Sequence, residues 1–253
     1  MSTITVSHTA SFTHRTVVNV ISTSWSVEQV QVLAGLVFAQ HRLDYSEDSN
    51  TETYTLDGDV MKDSYGEEAF TWNGDVIIAR YLHDDDVEDS ICRYLVSREH
   101  GYLTISCTAN RNGDSVNITF KDGKLESIAD AAAVVITDPI SKRPSTQMWF
   151  RENICYRAAN PTEPADICFG WHAHYNSHGI KHRDVKQGPA YYLIEDGELV
   201  ENEEAYYHNG VECQDDGSAL RRIKLYPHKS SWHTVPEQIM PSTGEPFVVS
   251  GSN

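Results

Sequence analysis

The stretch that decides the fold is His174-Tyr175-Asn176-Ser177-His178-Gly179-Ile180-Lys181-His182-Arg183-Asp184, closing on Gly188-Pro189-Ala190-Tyr191-Tyr192 and then Asp196-Gly197. An aromatic pair leads into a turn, a polar link follows, and a small-residue strand ends the unit. Asn-Gly and Asp-Gly steps supply the positive φ angles of a tight hairpin. Aromatic side chains just before such a turn pack across the strand pair. Gly-Pro-Ala marks a close approach where a larger side chain does not fit, with proline confined to an edge or bulge. A single hairpin cannot bury its own face, so hairpins of this kind must stack.

The same order returns elsewhere in the chain. Tyr206-Tyr207-His208-Asn209-Gly210-Val211 closes on Gly217-Ser218-Ala219, and Trp149-Phe150-Arg151-Glu152-Asn153 closes on Glu163-Pro164-Ala165. Thr119-Phe120-Lys121-Asp122-Gly123-Lys124-Leu125 begins an earlier version, echoed by Thr71-Trp72-Asn73-Gly74. The pattern resembles MORN-like repeats, whose consensus runs aromatic, aromatic, x, Asn, Gly, then His-Arg, then Gly-Pro-Ala. The likeness is fullest over 174–197 and partial over 206–220. Val185-Lys186 lengthen the first of these, and the second lacks His-Arg. The resemblance implies an array of β-hairpins used as a scaffold or docking surface, of phage or viral type, and brings no enzymatic activity with it.

Working outward, residues 3–22 alternate and are rich in Thr and Val, which predicts one or two strands. Ser26 and Gln29 have capping-box spacing, and Val27, Val30, Ala34, Val37 and Phe38 recur at helical intervals, predicting a core-packing helix over 26–42. Asp57-Gly58 and Asn73-Gly74 mark two hairpins. Asp84, Asp85 and Asp86 before Val87, Ile91, Tyr94 and Leu95 predict a second helix, charged at its N-terminus. The expected fold is therefore α+β and β-rich: an N-terminal α/β portion with two helices, then antiparallel β-hairpin repeats forming an elongated or rolled sheet. Expected divisions are an acidic α+β domain over 1–115, a repeat region over 116–227, and a C-terminal strap or tail over 228–253.

Charge is concentrated. Residues 44–90 hold fifteen carboxylates against Lys62 and Arg80, a local charge of −13 out of −17 for the chain. Such a field repels nucleic acid and membranes and attracts basic proteins. Asp57, Asp59, Asp63, Glu67, Glu68, Asp84, Asp85, Asp86, Glu88 and Asp89 are the candidate partner-binding residues. The partner they suit is a basic surface on a host protein, such as the nucleic-acid-binding groove of a defence nuclease, with carboxylates standing in for phosphates. An ordinary solvated acidic face is the competing reading. A virion or assembly component that docks through the hairpins, and self-associates, is the alternative. Five scattered cysteines without CxxC spacing predict reduced thiols in a cytoplasmic setting, and no signal peptide or membrane-spanning run is expected.

Catalytic chemistry is sparse. His172 and His174 would share a strand face, a spacing that suits a metal ion, with His178 as a third candidate ligand. Against this, Cys168 to His172 matches no zinc pattern, and His182 belongs to the hairpin motif. No metal or cofactor is expected. Asp57, Asp59, Asp63 and Glu68 mimic the ends of a calcium loop, but Met61 and Lys62 occupy positions that need an oxygen ligand and a glycine. His14-Arg15-Thr16 and His228-Lys229-Ser230 are the two His-x-Thr/Ser elements of a hypothetical phosphoesterase. No phosphate-binding loop, dinucleotide fingerprint or nucleophile elbow is present, so no catalytic residue is assigned.

Overall fold

The computed structural model describes residues 2–8, 14–19, 25–43, 50–58, 60–81, 90–110 and 113–218, together with short strands between 221 and 239. The first part comprises β1 (Ser2–His8), β2 (His14–Asn19), α1 (Val27–Leu43), β3 (Asn50–Asp57), β4 (Val60–Lys62), β5 (Glu68–Asn73), β6 (Val76–Tyr81), β7 (Ser90–Glu99) and β8 (Tyr102–Cys107). Next come β9 (Ser115–Lys121), β10 (Lys124–Leu125), β11 (Val134–Thr137), β12 (Pro144–Met148), β13 (Phe150–Arg151), β14 (Ile154–Cys155), β15 (Asp166–Cys168) and β16 (Trp171–Ala173). The last are β17 (Tyr191–Glu195), β18 (Glu198–His208), β19 (Val211–Cys213), β20 (Arg221–Arg222), β21 (Leu225–His228), β22 (Ser231–Thr234) and β23 (Gln238–Ile239).

Helix α1 starts as its sequence dictates. The Ser26 hydroxyl accepts from the Gln29 amide at 3.1 Å, and the Gln29 carboxamide oxygen accepts from the Ser26 amide at 2.9 Å. These two bonds satisfy donors that a helix start otherwise leaves orphaned. Downstream, Val32, Leu33, Ala34, Gly35, Leu36 and Val37 are buried one after another. Six consecutive positions exceed one turn, so this segment of the helix is enclosed on every side rather than laid on a surface. Gly35 permits the closest contact, because a Cβ there would stand 2.4 Å from the Phe120 ring.

Against the helix lie β1, β2, β10 and the Phe120 ring of β9, all in an antiparallel sheet of seventeen strands. Strand β1 pairs with both β2 and β3, and the path then runs in chain order from β3 to β9. Strand β9 takes β10 and β11, and the sheet continues through β12, β15, β16, β17, β18 and β19. Near-neighbour antiparallel pairing follows from short connections. At Asp122-Gly123 and Asn209-Gly210 two residues join paired strands, with φ positive at both, as a type I′ turn requires. Strands β8 and β9 pair from Tyr102↔Lys121 to Cys107↔Val116, so sheet and core run unbroken through residue 115.

The chain is β-rich as expected, with α1 the one α-helix among the described residues. The second expected helix is not formed. Val87 lies outside the described residues, and Ile91, Tyr94 and Leu95 belong to strand β7. Cys92, Tyr94 and Val96 point into the core while Ile91 and Leu95 point outward. The apolar run has two registers, and pairing with β6 on one side and β8 on the other selects the period of two. The expected strap at 228–253 lies largely outside the described residues.

In the second half one hydrogen bond recurs. The amides of Thr119, Trp149 and His174 donate to the carbonyls of Ala133, Ala165 and Ala190, each at 2.8 Å. All three alanines are fully buried. Arg157 clamps Asp130 through two bonds of 2.7 Å and lies over the Trp149 ring, whose indole donates to the Asp130 carbonyl. Among the described residues no helix is long and apolar enough to cross a membrane.

Two substitutions test this packing. Gly35→Ala gains helix propensity of about 1 kcal/mol but drives a methyl into a fully buried ring. Net destabilisation of about 1–2 kcal/mol is expected, read as a lower urea midpoint. Ala190→Leu is expected to cost about 1–3 kcal/mol in the same assay, whereas a gain in stability would show that the alanine seat has spare room.

Candidate functional site

Antiparallel pairing sends successive connections to alternate ends of the strands. The links after β4 and β6 leave from one end, where Lys62 pairs with Glu68 and Tyr81 with Ser90. Those after β3 and β5 leave from the other, beside Asp57↔Val60 and Asn73↔Val76. Asp63, Glu67 and Glu68 therefore stand at the sheet end from which the segment carrying Asp84, Asp85, Asp86, Glu88 and Asp89 departs and to which it returns. Asp57 and Asp75 lie toward the opposite end.

The described acids are partly engaged. Lys62 donates to Asp57 at 2.9 Å and holds that carboxyl below its ordinary value. One oxygen of Asp63 accepts from the amides of Tyr65 and Glu67 at 2.9 and 3.0 Å, so this side chain organises its own turn. Arg80 approaches Glu68 at 3.4 Å. Asp59, Asp84, Asp85, Asp86, Glu88 and Asp89 lie outside the described residues.

A second concentration of chemistry sits on β16 and β17. Register sets His172 opposite Tyr192, and the two rings stack at 5.1 Å. His174 follows two residues on, fully buried, with its Nε2 3.4 Å from the Tyr192 hydroxyl. Arg183 donates to the Pro189 carbonyl at 3.0 Å and reaches over the Tyr192 ring. Among the described residues, His174 Nδ1 and Arg183 Nε are buried and find no hydrogen-bond acceptor or donor. Burial, then the Arg183 charge, then His172 press the His174 imidazole down to about 3, so it is neutral at physiological pH. Burial also lowers His172 and raises Tyr192.

The other sheet face carries a stack of rings and a cation. Trp171 and Tyr191 lie parallel with centroids 4.8 Å apart, and Lys181 Nζ sits 4.3 Å from Tyr191 and 5.6 Å from Tyr207. Beyond them two hairpins lock together. The Asn209 amide donates to His182 Nδ1 at 3.1 Å, Gly210 donates to the Lys181 carbonyl, and Arg183 donates to the Tyr207 carbonyl. His182 and His208 rings meet edge to face at 5.0 Å. Burial first, then the His208 charge, lower His182, which keeps Nδ1 an acceptor.

The three metal candidates do not converge. His172 and His174 share the Tyr192 neighbourhood, while His178 is exposed at the Asn176–Gly179 turn. Among the described residues no three His, Cys, Asp or Glu side chains group as a metal site. A shallow cleft of about 240 Å³ lies where α1 starts, lined by Glu28, Arg98, Glu99, His100, Tyr102 and Asp122. His14 starts β2 and His228 ends β21, strands whose described pairings are with β1 and β22 and do not link the two elements. Tyr192 and Arg183 were not singled out from sequence as partners of the histidines. Their alternation along the strand gave a face but not the neighbour across the sheet. No protein family, curated protein or solved structure matches this chain.

These histidines set an acid limit. As pH falls below about 6.5 the unfolded chain takes up a proton that folded His174 refuses until about 3. Stability present above pH 6.5 is then lost at about 1.4 kcal/mol per pH unit for this one group. His174→Gln is expected to reduce the slope of unfolding free energy between pH 6.5 and 5 by about that amount. Urea titrations at three pH values measure it, and an unaltered slope would place the protonation elsewhere.

Proposed function

We propose that this chain is a non-catalytic interaction protein: a MORN-like array of β-hairpins carrying an acidic end that engages a basic surface on another protein. The array reading is supported by the recurrent amide-to-alanine bonds of Thr119, Trp149 and His174, each one strand away from its partner. It is supported as well by the hairpin-to-hairpin bonds at Asn153 and Leu125 and at Gly210 and Lys181. A stack of such units makes a stiff body whose outer residues are free to vary.

The observation that carries the interaction reading is the alternation of connections. Seven carboxylates (Asp63, Glu67, Asp84, Asp85, Asp86, Glu88 and Asp89) belong to two connections that leave from one end of the sheet, where Glu68 begins β5. Charges of one sign gathered at one end steer an oppositely charged partner and set the salt dependence of its binding. A nucleic-acid-binding groove on a host protein, as of a defence nuclease, has the complementary charge. The neutral, buried His174 and the bond from the Asn209 amide to His182 give the histidine face a packing role, interlocking hairpins.

The test is a variant with Asp84, Asp85 and Asp86 changed to Asn, Glu88 to Gln and Asp89 to Asn. Tagged wild type is expected to retain basic proteins from a cell extract at about 0.1 M salt and release them by about 0.5 M, as screening shortens the field. The variant should retain few of them. Capture that is indifferent both to neutralisation and to salt would overturn the acidic-end reading.

A further inference from the structure

Hydrogen bonds of two kinds join the hairpin closed by the Tyr175↔Lys181 bridge to the hairpin of β18 and β19. The amides of Gly210 and Arg183 donate to the Lys181 and Tyr207 carbonyls at 2.8 and 3.2 Å, and the Asn176 carboxamide donates to Asn209 Oδ1 at 3.3 Å. These acceptors are carbonyl oxygens, which accept at any pH the protein meets. The Asn209 amide donates instead to His182 Nδ1, at 3.1 Å, and an imidazole nitrogen accepts only while it carries no proton. The joint is tight, since a Cβ on Gly210 would stand 2.8 Å from the Ile180 side chain. Lys181 spans it, with Nζ near the rings of Tyr191 and Tyr207.

Charged and titratable groups approach His182 from several elements. His208 of β18 meets its ring edge to face at 5.0 Å. On its own link, the Asp184 carboxylate accepts from the Lys186 amide at 3.0 Å, while Lys181 and Arg183 carry their cations to the Tyr191 and Tyr192 rings. His174 accepts the His182 amide on its carbonyl at 3.0 Å and turns its own ring to Tyr192. Burial and then the His208 charge oppose a proton on His182, Asp184 favours one, and the net direction is down. In an opened joint His182 regains its ordinary value near 6.5, so protons go to the open form first. Opening therefore grows as pH falls below about 6.5.

We propose that His182 is an acid-operated release for this joint: a proton taken from solvent by its Nδ1 displaces the Asn209 amide and frees the Tyr206–Cys213 hairpin from the unit before it. The imidazolium holds N–H groups at both nitrogens, so the Asn209 amide faces a donor where it had an acceptor. His208 then stands against a charge in place of a neutral ring. Gly210 and Arg183 lose the neighbour that kept their own bonds in register, and the Tyr207 ring withdraws from Lys181. Raising the pH removes the proton and re-forms the bond. The acid limit set by His174 acts on unfolding of the whole chain, whereas this release is local.

The experiment follows amide hydrogen exchange of the folded full-length protein by NMR between about pH 7.5 and 5, corrected for the intrinsic pH dependence of exchange. Protection of the Asn209 and Gly210 amides is expected to stay below that of Ile118 in the core and to fall by up to about tenfold per pH unit below about 6.5. In His182→Asn, whose Oδ1 accepts without titrating, that fall should vanish, while in His174→Gln it should persist. A flat response in the wild type would overturn the proposal, as would an undiminished fall in His182→Asn or protection equal to that of Ile118. Should His182→Asn not fold, the ring nitrogen resonances of wild-type His182 decide. A proton on Nε2 alone above about pH 6.5 supports the joint, and a proton on Nδ1 there overturns it. The outcome is independent of whether the acidic end binds a partner.

Discussion

The rest of the structure depends on a helical segment, Val32–Val37, that water cannot reach. Over Val32–Val37 every side of α1 is covered, and an apolar helix surrounded in this way is stable only if something closes around it. A flat sheet covers one stripe of a helix. Here the cover comes from β1, β2 and β10 together with Phe120 of β9. Gly35 and Phe120 show how tight the closure is, since one added methyl on the helix would occupy the ring. Strands on both sides of residue 115 contribute to the same core, which ties the acidic first half mechanically to the hairpins of the second.

From that constraint follows the placement of charge. A meander with short links alternates its connections between two ends, so acids spaced irregularly in sequence are sorted by strand parity. The links after β4 and β6 leave from one end, while Asp57 and Asp75 lie toward the other. Lys62 and Arg80, the two cations of the acidic stretch, are already committed to Asp57 and Glu68. Of the described acids at that end, Glu68 is met by Arg80 and Asp63 by two backbone amides. Exposed pairs of this kind add little stability.

The histidines illustrate how burial removes chemistry as readily as it creates it. His174 is close to a hydroxyl, a guanidinium and a second imidazole, the company of many active sites. Yet the same burial that brings them together keeps it neutral, and Arg183 adds to the effect. His182 is fixed as an acceptor for the next hairpin's backbone. The imidazoles here act as packing and junction groups that tolerate neutral pH and resist protonation.

Much of this was legible in the chain itself. Turn chemistry at Asp122-Gly123 and Asn209-Gly210, the capping box at Ser26 and Gln29, and the small residues at Ala165 and Ala190 are local facts, because φ preference, capping and side-chain volume act within a few residues. They determined a β-rich hairpin protein with one well-started helix. Other features were decided only by tertiary structure. Ser90–Glu99 carries an apolar run that fits a helix or a strand, and the neighbours β6 and β8 chose the strand. The meeting of Tyr192 and Arg183 with His174, and the departure of the links after β4 and β6 from one sheet end, arise between strands. Sequence encodes which face a residue takes; which residue it meets there depends on register, and register is set by the sheet as a whole.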